Sequence, residues 1–358
     1  MQKIANLKYM SSDSTGAASL GAPLPDPKPV LDIIDGMRLS KAVFTALELG
    51  VFDVMKEHAL SIGECAEQLH CNEGALERLL DACTAAGLLE KCDGRYRNSA
   101  LASVYVSRSS PRTLAGYMLY ANRIHWRLWE HLEDAVTEGS ARWSQTFGEK
   151  ENIFDHFFVT DAAKETFLAA MHGMGTLSSP AVAAAFDLSS HRIAADLGGA
   201  TGHLVASICE RYPSIHGIVF DLPRVIAVTR KRLSAAGLED RVSVIEGDFF
   251  NDPLPEADLY CLGRIFHDWN EEKIRALLRK MHSALPEGGA VLLAEVLLSD
   301  DKTGPLSGLL QSLNMLACTE GRERNLAEYR ELFETEGFTD VRGVHTGKVV
   351  DAVYARKA

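Results

Sequence analysis

The sequence has no excess of positive charge, no C-x-x-C pair and no apolar run long enough to span a bilayer, and each absence removes a class of function. Lys and Arg number 37 against 49 Asp and Glu, a net charge of −12. No basic tract interrupts that balance, so the expectation is no nucleic acid and no membrane partner, since both reward clustered cations. The amino end, MQKIANLKYM, lacks an apolar signal core with a cleavage site, and a cytoplasmic location follows as the expectation. The seven cysteines, Cys65, Cys71, Cys83, Cys92, Cys209, Cys261 and Cys318, are odd in number, which favours reduced, packed thiols over disulfides or zinc. What is present is ordinary: 358 residues, 46% hydrophobic and 24% charged, enough to bury a sizeable core in two domains.

Residues from Ser11 to Pro29 are rich in Ser, Ala, Gly and Pro and end in PLPDPKP, so 1–29 reads as a flexible leader that cannot form a helix. From Val30, the residues Ile33, Ile34, Met37, Val43, Phe44 and Leu47 recur at helical spacing, and Gly50 closes that helix. Ser61 can cap a helix over IGECAEQLH and Asn72 a second over EGALERLLDACTAAG. Leu88 to Arg97 then form a hairpin turning at Asp93-Gly94. This order looks like a winged helix. Its second helix carries Glu73, Glu77 and Asp81 against Arg78, so for 30–110 a packing or dimerising domain is preferred to DNA binding. Tyr117 to Gly148 is helical by pattern and aromatic, with Tyr120, Trp126, Trp129, Trp143 and Phe147. Ile153 to Met174 continues helical, with Phe157, Phe158, Phe167, Met171 and Met174. Segment 111–185 is read as a helical linker whose rings form core or a substrate wall.

Ile193 to Gly202, IAADLGGATG, reads as a strand buried on both faces that runs into a glycine turn, with Thr201 starting the next helix. The dinucleotide pattern G-x-G-x-x-G fails here, because in that register from Gly198 the loop offers Gly, Ala200 and His203. A nicotinamide oxidoreductase is disfavoured on that ground. The spacing suits the shorter G-x-G-x-G turn of S-adenosylmethionine (SAM) methyltransferases, with Ala200 for the central glycine. Downstream, strands at Gly217 to Asp221, Val242 to Gly247, Asp258 to Ile265 and Ala290 to Leu298 alternate with helices at Pro223 to Ala236 and Glu271 to Leu285, the pattern of a parallel sheet. FTDVRGVHTG and VVDAVYARK read as a closing antiparallel hairpin. Acids fall at the strand ends, where such sheets bind ligands. Asp221 in VFDLP is placed to accept the ribose hydroxyls. Asp248, after Gly247 in EGDFF, can take the adenine amino hydrogens while Phe249 covers the ring. Residues 186–358 are therefore the SAM-binding domain.

The runs DLGGATG, VFDLP, EGDFFNDPLPEADLY, RIFHDW, LLAEVLL and SLNMLACTEGRER resemble those of the acetylserotonin (hydroxyindole) O-methyltransferases, within the wider caffeate-type O-methyltransferase group. ERLLDACTAAGLLEK and AMHGM are also similar to the acetylserotonin methyltransferase-like members. Those carry a further amino-terminal domain for which these 358 residues have no room. The resemblance implies an α/β fold: a class I SAM-methyltransferase Rossmann-like sheet with an N-terminal all-helical winged-helix-like dimerisation domain, assembled as a homodimer. It implies SAM as methyl donor, no metal, and O-methylation of a small aromatic hydroxyl, most directly a hydroxyindole such as N-acetylserotonin, which is melatonin formation. Another small phenol, or a non-catalytic SAM-binding regulator, are the alternatives.

Under that resemblance His267 is the general base, held by Glu295 and Glu323. Arg264 joins Gly198, Gly199, Asp221, Gly247, Asp248 and Phe249 in contacting SAM. Asp268 faces the acceptor and Asn314 bonds its acetamide. Two departures bear on the acceptor: Cys318 stands where the acetylserotonin enzymes carry a glutamine, and Gly175 where they carry a tryptophan, a change expected to enlarge the pocket. No acid cluster suited to Mg²⁺ is visible in the sequence.

Overall fold

In the computed structural model residues 24–149 and 160–358 are described. Contacts divide the chain after Ser40. The described part of the first unit is the start of a helix, Lys28–Leu49, whose first turn already takes Lys28 and Pro29 from the expected leader. Proline is at home there, because the N–H it lacks would have no helical partner. Residues 1–23 of the leader lie outside the described residues.

In the second unit, Lys41 onward, the winged-helix pattern holds in detail. Gly50, at φ 85°, follows the first helix. Ser61 caps Ile62–Leu69 through a capping box with Glu64, and Asn72 caps Glu73–Ala85. Strands β1 (Leu60–Ser61), β2 (Leu89–Cys92) and β3 (Arg95–Asn98) form a small antiparallel sheet. Its hairpin turns at Asp93 and Gly94, both at positive φ. Leu47, Phe52, Leu80, Cys83 and Tyr96 are buried together beneath it.

The aromatic stretch departs from one continuous helix. It breaks into Ala115–Tyr120, a π-helical turn Ala121–His125, then Trp126–Trp129, Leu132–Glu138 and Trp143–Phe147. A π turn adds a residue and rotates the face that follows, so rings at helical spacing no longer share one side. The next helix is Asp161–Ala184, capped by Thr160. The expected start at Ile153, with Phe157 and Phe158, lies outside the described residues.

Strands β4 (Ile193–Leu197), β5 (His216–Asp221), β6 (Val242–Glu246), β7 (Leu259–Gly263) and β8 (Ala290–Glu295) are parallel. After the short strands β9 (Leu297–Leu298) and β10 (Arg324–Asn325) come β11 (Phe338–Val344) and β12 (Asp351–Lys357), the antiparallel pair that closes the sheet. The order is β11-β12-β8-β7-β4-β5-β6. The chain therefore reverses its direction of winding between β4 and β7, and a crevice opens there beyond the carboxyl ends. Leu204, Val205 and Ile208 cover one face of the sheet, and Leu277, Leu278 and Met281 the other. Of the boundaries that differ from the sequence reading, two have a backbone cause. β7 stops at Gly263 because Arg264 turns into the left-handed region at φ 58°. Thr201 lies in the turn, and the helix starts at His203 after Gly202 at φ 76°.

All seven cysteines are free thiols and five are buried. Among the described residues no helix is long and apolar enough to cross a membrane.

Candidate active site

A cavity of about 430 Å³ occupies the crevice. Gly198 and Gly199 form its floor, and a side chain at Gly198 would meet Ile265 Cδ1 at 2.7 Å and Phe249 at 3.3 Å. The backbone can thus lie flush against a ligand. Asp221, at the end of β5, holds the glycine turn: Oδ2 accepts the Ala200 N–H at 2.8 Å and Oδ1 that of Leu222 at 2.7 Å. Burial pushes its carboxyl up to about 6 against those two bonds. Asp248 caps its own turn, accepting from Phe250 N–H and Asn251 Nδ2 at 2.8 Å each. Each oxygen keeps one lone pair, and the residue lines the cavity with Gly247 and Phe249. A flush glycine floor, two carboxyls at successive strand ends and a ring beside them fit an adenosyl group with its ribose diol and exocyclic amine. Arg264 lines the same cavity.

His267 lies past β7 on a short 3₁₀ turn, Phe266–Asp268, and is buried. Two carboxylates hold it. Glu323 Oε1 accepts from Nδ1 at 2.7 Å, and Glu295 Oε2 is 3.6 Å from the same nitrogen. Glu295, at the end of β8, also fixes the turn itself, its Oε1 accepting the N–H groups of Ile265 at 3.0 Å and Phe266 at 2.8 Å. The TEGRER run packs directly on this turn. A Cβ at Gly321 would collide with the backbone of His267 and Trp269, and Arg324 Nη1 donates to Phe266 O at 3.2 Å. With Nδ1–H committed to Glu323, Nε2 is the nitrogen left for chemistry, 3.6 Å from Asp268 Oδ1.

Burial by itself would lower the pKa of His267, but Glu323, Glu295 and Asp268 outweigh it and raise the ring to about 9. Burial pushes Glu295 up to about 7 and Asp268 up to about 6, although the imidazolium pulls both the other way. Ligand atoms of His267, Glu295 and Glu323 come within 4.8 Å of one another, a potential metal-ligand grouping built on an imidazole. Of the three, His267 alone lines the cavity.

On the acceptor side, Asn314 Oδ1 accepts the Trp129 indole N–H at 2.8 Å and the Cys318 thiol at 3.6 Å. The amide is thereby oriented with its N–H groups left for the cavity. Burial raises the Cys318 thiol well above its ordinary range, so it remains a neutral, weak donor. Tyr120, Phe167 and Met171 of the aromatic set line the cavity. Trp143, Trp129 and Phe147 pack instead around Leu128 and Cys318, while Trp126 meets Phe44 edge-on.

Two of the lining histidines were given no role from sequence. His125, at the end of the π turn, sits edge-on to Tyr120 with ring centroids 4.8 Å apart, and burial pushes it down to about 4. His203 is the other. Its ring lies beside Gly175, where any Cβ would collide with it, so the imidazole occupies space next to the glycine. A histidine directly after the glycine turn was the available signal; the glycine it covers lies 28 residues earlier in the chain.

Two family models match the chain: an O-methyltransferase dimerisation domain over residues 31–108 and an O-methyltransferase domain over residues 129–339. The chain is 41% identical over 331 residues to the acetylserotonin O-methyltransferase of Bos taurus, a match covering 90% of this chain and 95% of that protein. It is 39% identical over 336 residues to a probable bifunctional dTTP/UTP pyrophosphatase/methyltransferase protein of Homo sapiens. That match covers 93% of this chain but 54% of the relative, so the chain spans about half of that protein's length. Among solved structures, human N-acetylserotonin methyltransferase in complex with SAM matches with a TM-score of 0.89 at 36% identity, covering 95% of this chain and 100% of that one.

Proposed function

Because the chain belongs to the O-methyltransferase family that joins a dimerisation domain to a SAM-dependent methyltransferase domain, we propose that its acceptor is a hydroxyindole such as N-acetylserotonin and that His267 is the base. Methyl transfer from SAM to a small aromatic hydroxyl is the coarser activity from which that reading proceeds. The observation that carries the base assignment is the hydrogen bond from Nδ1 to Glu323, which leaves Nε2 of a buried imidazole on the wall of the cavity.

The donor, when bound, supplies a methyl group already activated on a sulfonium. Gly198 and Gly199 would form the floor under it, Asp221 would take the ribose hydroxyls, Asp248 the adenine amine, Phe249 the ring face, and Gly247 would let the chain pass close. Arg264 adds a positive charge to that end. Tyr120, Phe167 and Met171 would sandwich a planar acceptor, Asp268 would take an indole N–H, and Asn314 would donate to an amide carbonyl. A phenolic hydroxyl has a pKa of about 10. His267, raised by its acids, comes close to matching it, and proton transfer is efficient near such a match. Nε2 takes the hydroxyl proton as the oxygen gains the methyl group, and Glu323 and Glu295 hold the imidazolium that results. The ring must first release any proton it holds, and a fixed sulfonium charge in the same cavity favours that release.

Turnover with N-acetylserotonin, serotonin, simple catechols and flavonoid phenols tests the acceptor. The expected result is highest kcat/KM with an N-acylated 5-hydroxyindole; a larger value for a catechol or flavonoid removes the hydroxyindole proposal and leaves the base assignment standing.

We also infer a homodimer through the amino-terminal helices. The match to a dimerisation domain supports it, and Val30, Leu31, Ile33, Ile34, Met37 and Leu39 are all exposed on one helix, an apolar surface of the kind that marks protein contacts. Sedimentation velocity is expected to give twice the chain mass; a monomer at assay concentrations would remove the inference.

A further inference from the structure

One wall of the cavity is used neither by the groups assigned to the adenosyl end nor by those assigned to the acceptor. Gly175, Ser179 and His203 form it, next to the Gly199 floor. His203 opens the helix His203–Arg211, and its ring lies across Gly175, so bare backbone backs the imidazole.

The tautomer follows from the hydrogen bonds. Nδ1 is 2.9 Å from Ser179 Oγ, and that hydroxyl is 2.8 Å from Gly175 O. A hydroxyl has one proton to give. Donated to the carbonyl, it leaves the oxygen to accept from Nδ1–H, and the lone pair of the neutral ring is then on Nε2. Burial first, and then the neighbouring His172 and Arg264, push this imidazole down to about 3, so it stays neutral throughout the working pH range. Among the described residues Nε2 has no hydrogen-bond partner.

Asp196 stands behind this wall. A Cβ at Gly199 would lie 2.7 Å from its carboxyl carbon, and Oδ2 accepts the Val205 N–H at 3.4 Å. Burial pushes that carboxyl up to about 7. The fixed acceptor on this wall is therefore His203 Nε2, and its complement is a group that donates.

A sulfonium sulfur has three substituents. If the adenosyl branch goes to Asp221 and Asp248, and the methyl faces His267, the third branch, with its α-ammonium and carboxylate, is left with the Gly175 and His203 wall. We infer that His203 Nε2 accepts a hydrogen bond from the α-ammonium of the donor, and that Gly175 is a glycine so that the imidazole can lie where it does. His203 is thus a positioning residue for the amino-acid branch of the donor. The inference rests on the donor reading of the cavity.

Calorimetric binding of two ligands without an acceptor present tests it. S-adenosylhomocysteine carries the amino-acid branch, and 5′-methylthioadenosine lacks it. His203→Phe keeps the ring bulk and removes the acceptor, while His203→Ala removes the acceptor without added bulk. Both variants are expected to bind S-adenosylhomocysteine about tenfold more weakly, the size of one hydrogen bond to a charged group, with 5′-methylthioadenosine affinity unchanged. Equal weakening of both ligands would make His203 a packing residue and overturn the inference, as would unchanged affinity for S-adenosylhomocysteine. Wild-type protein that binds neither ligand would instead refute the donor reading itself.

Discussion

Replacing His267 with alanine is expected to lower kcat for a phenolic acceptor about 10²–10⁴-fold, the range a positioned general base contributes, while SAM affinity stays within a few-fold of wild type. The two effects should separate because the proposed donor contacts, Gly198, Asp221 and Asp248, are other residues of the cavity lining. Removing the imidazole leaves Glu323 and Glu295 buried without their shared partner, so a thermal melt should accompany the kinetics. If the variant is folded, calorimetry shows normal donor binding and turnover persists near wild-type level, His267 is not the base.

The second large effect is in the pH profile. A base at His267 would act deprotonated, so the acidic limb of kcat/KM is expected to follow its pKa in the free enzyme. Glu323, the nearest acid, holds that pKa up, and the sign of its removal follows: Glu323→Gln lowers the pKa and moves the limb to lower pH, by about 1–3 units for the loss of one close opposite charge. The variant should be less active at its plateau, since a weaker base pulls less on a phenol whose pKa is near 10. Opposed changes of this kind, a limb at lower pH and a lower plateau, separate an electrostatic partner from a residue that merely supports the fold. An unmoved limb with a reduced plateau would show that Glu323 does not set the basicity of His267.

The chemistry that depends on sequence-local signals was legible, and the part that depends on distant neighbours was not. Caps and turns such as Ser61 with Glu64, Asn72, and Asp93-Gly94 appear where the sequence places them, because each acts within a few residues. The Gly198 turn and Asp221 come together for a similar reason, since β4 and β5 are adjacent parallel strands and their ends share one edge. His267, Glu295 and Glu323 were named through motifs of a known family; chain spacing alone could not have shown that three residues spread over 56 positions meet at one nitrogen, or that they form a potential metal cluster. Asp248 shows the reverse case, a residue whose bland role as a turn cap is real and leaves one lone pair on each oxygen for a ligand. The sequence left open which rings of the aromatic segment are core and which form a substrate wall, and the structure divides them: Trp129 and Trp143 pack around Leu128 and Cys318, while Tyr120 lines the cavity with His125 from the π turn. What lies beside Gly175 was not legible, because the ring that packs on it, His203, comes from another helix.

The central claim is that an imidazole removes the proton of an aromatic hydroxyl during methyl transfer. It is tested most directly by the rates of wild type and His267→Ala across a series of phenolic acceptors of graded acidity, at one pH. An acceptor that is already ionised needs no base, so the penalty of the substitution should shrink steadily as the acceptor pKa falls below the assay pH. A penalty of the same size for every acceptor, ionised or not, would contradict the claim.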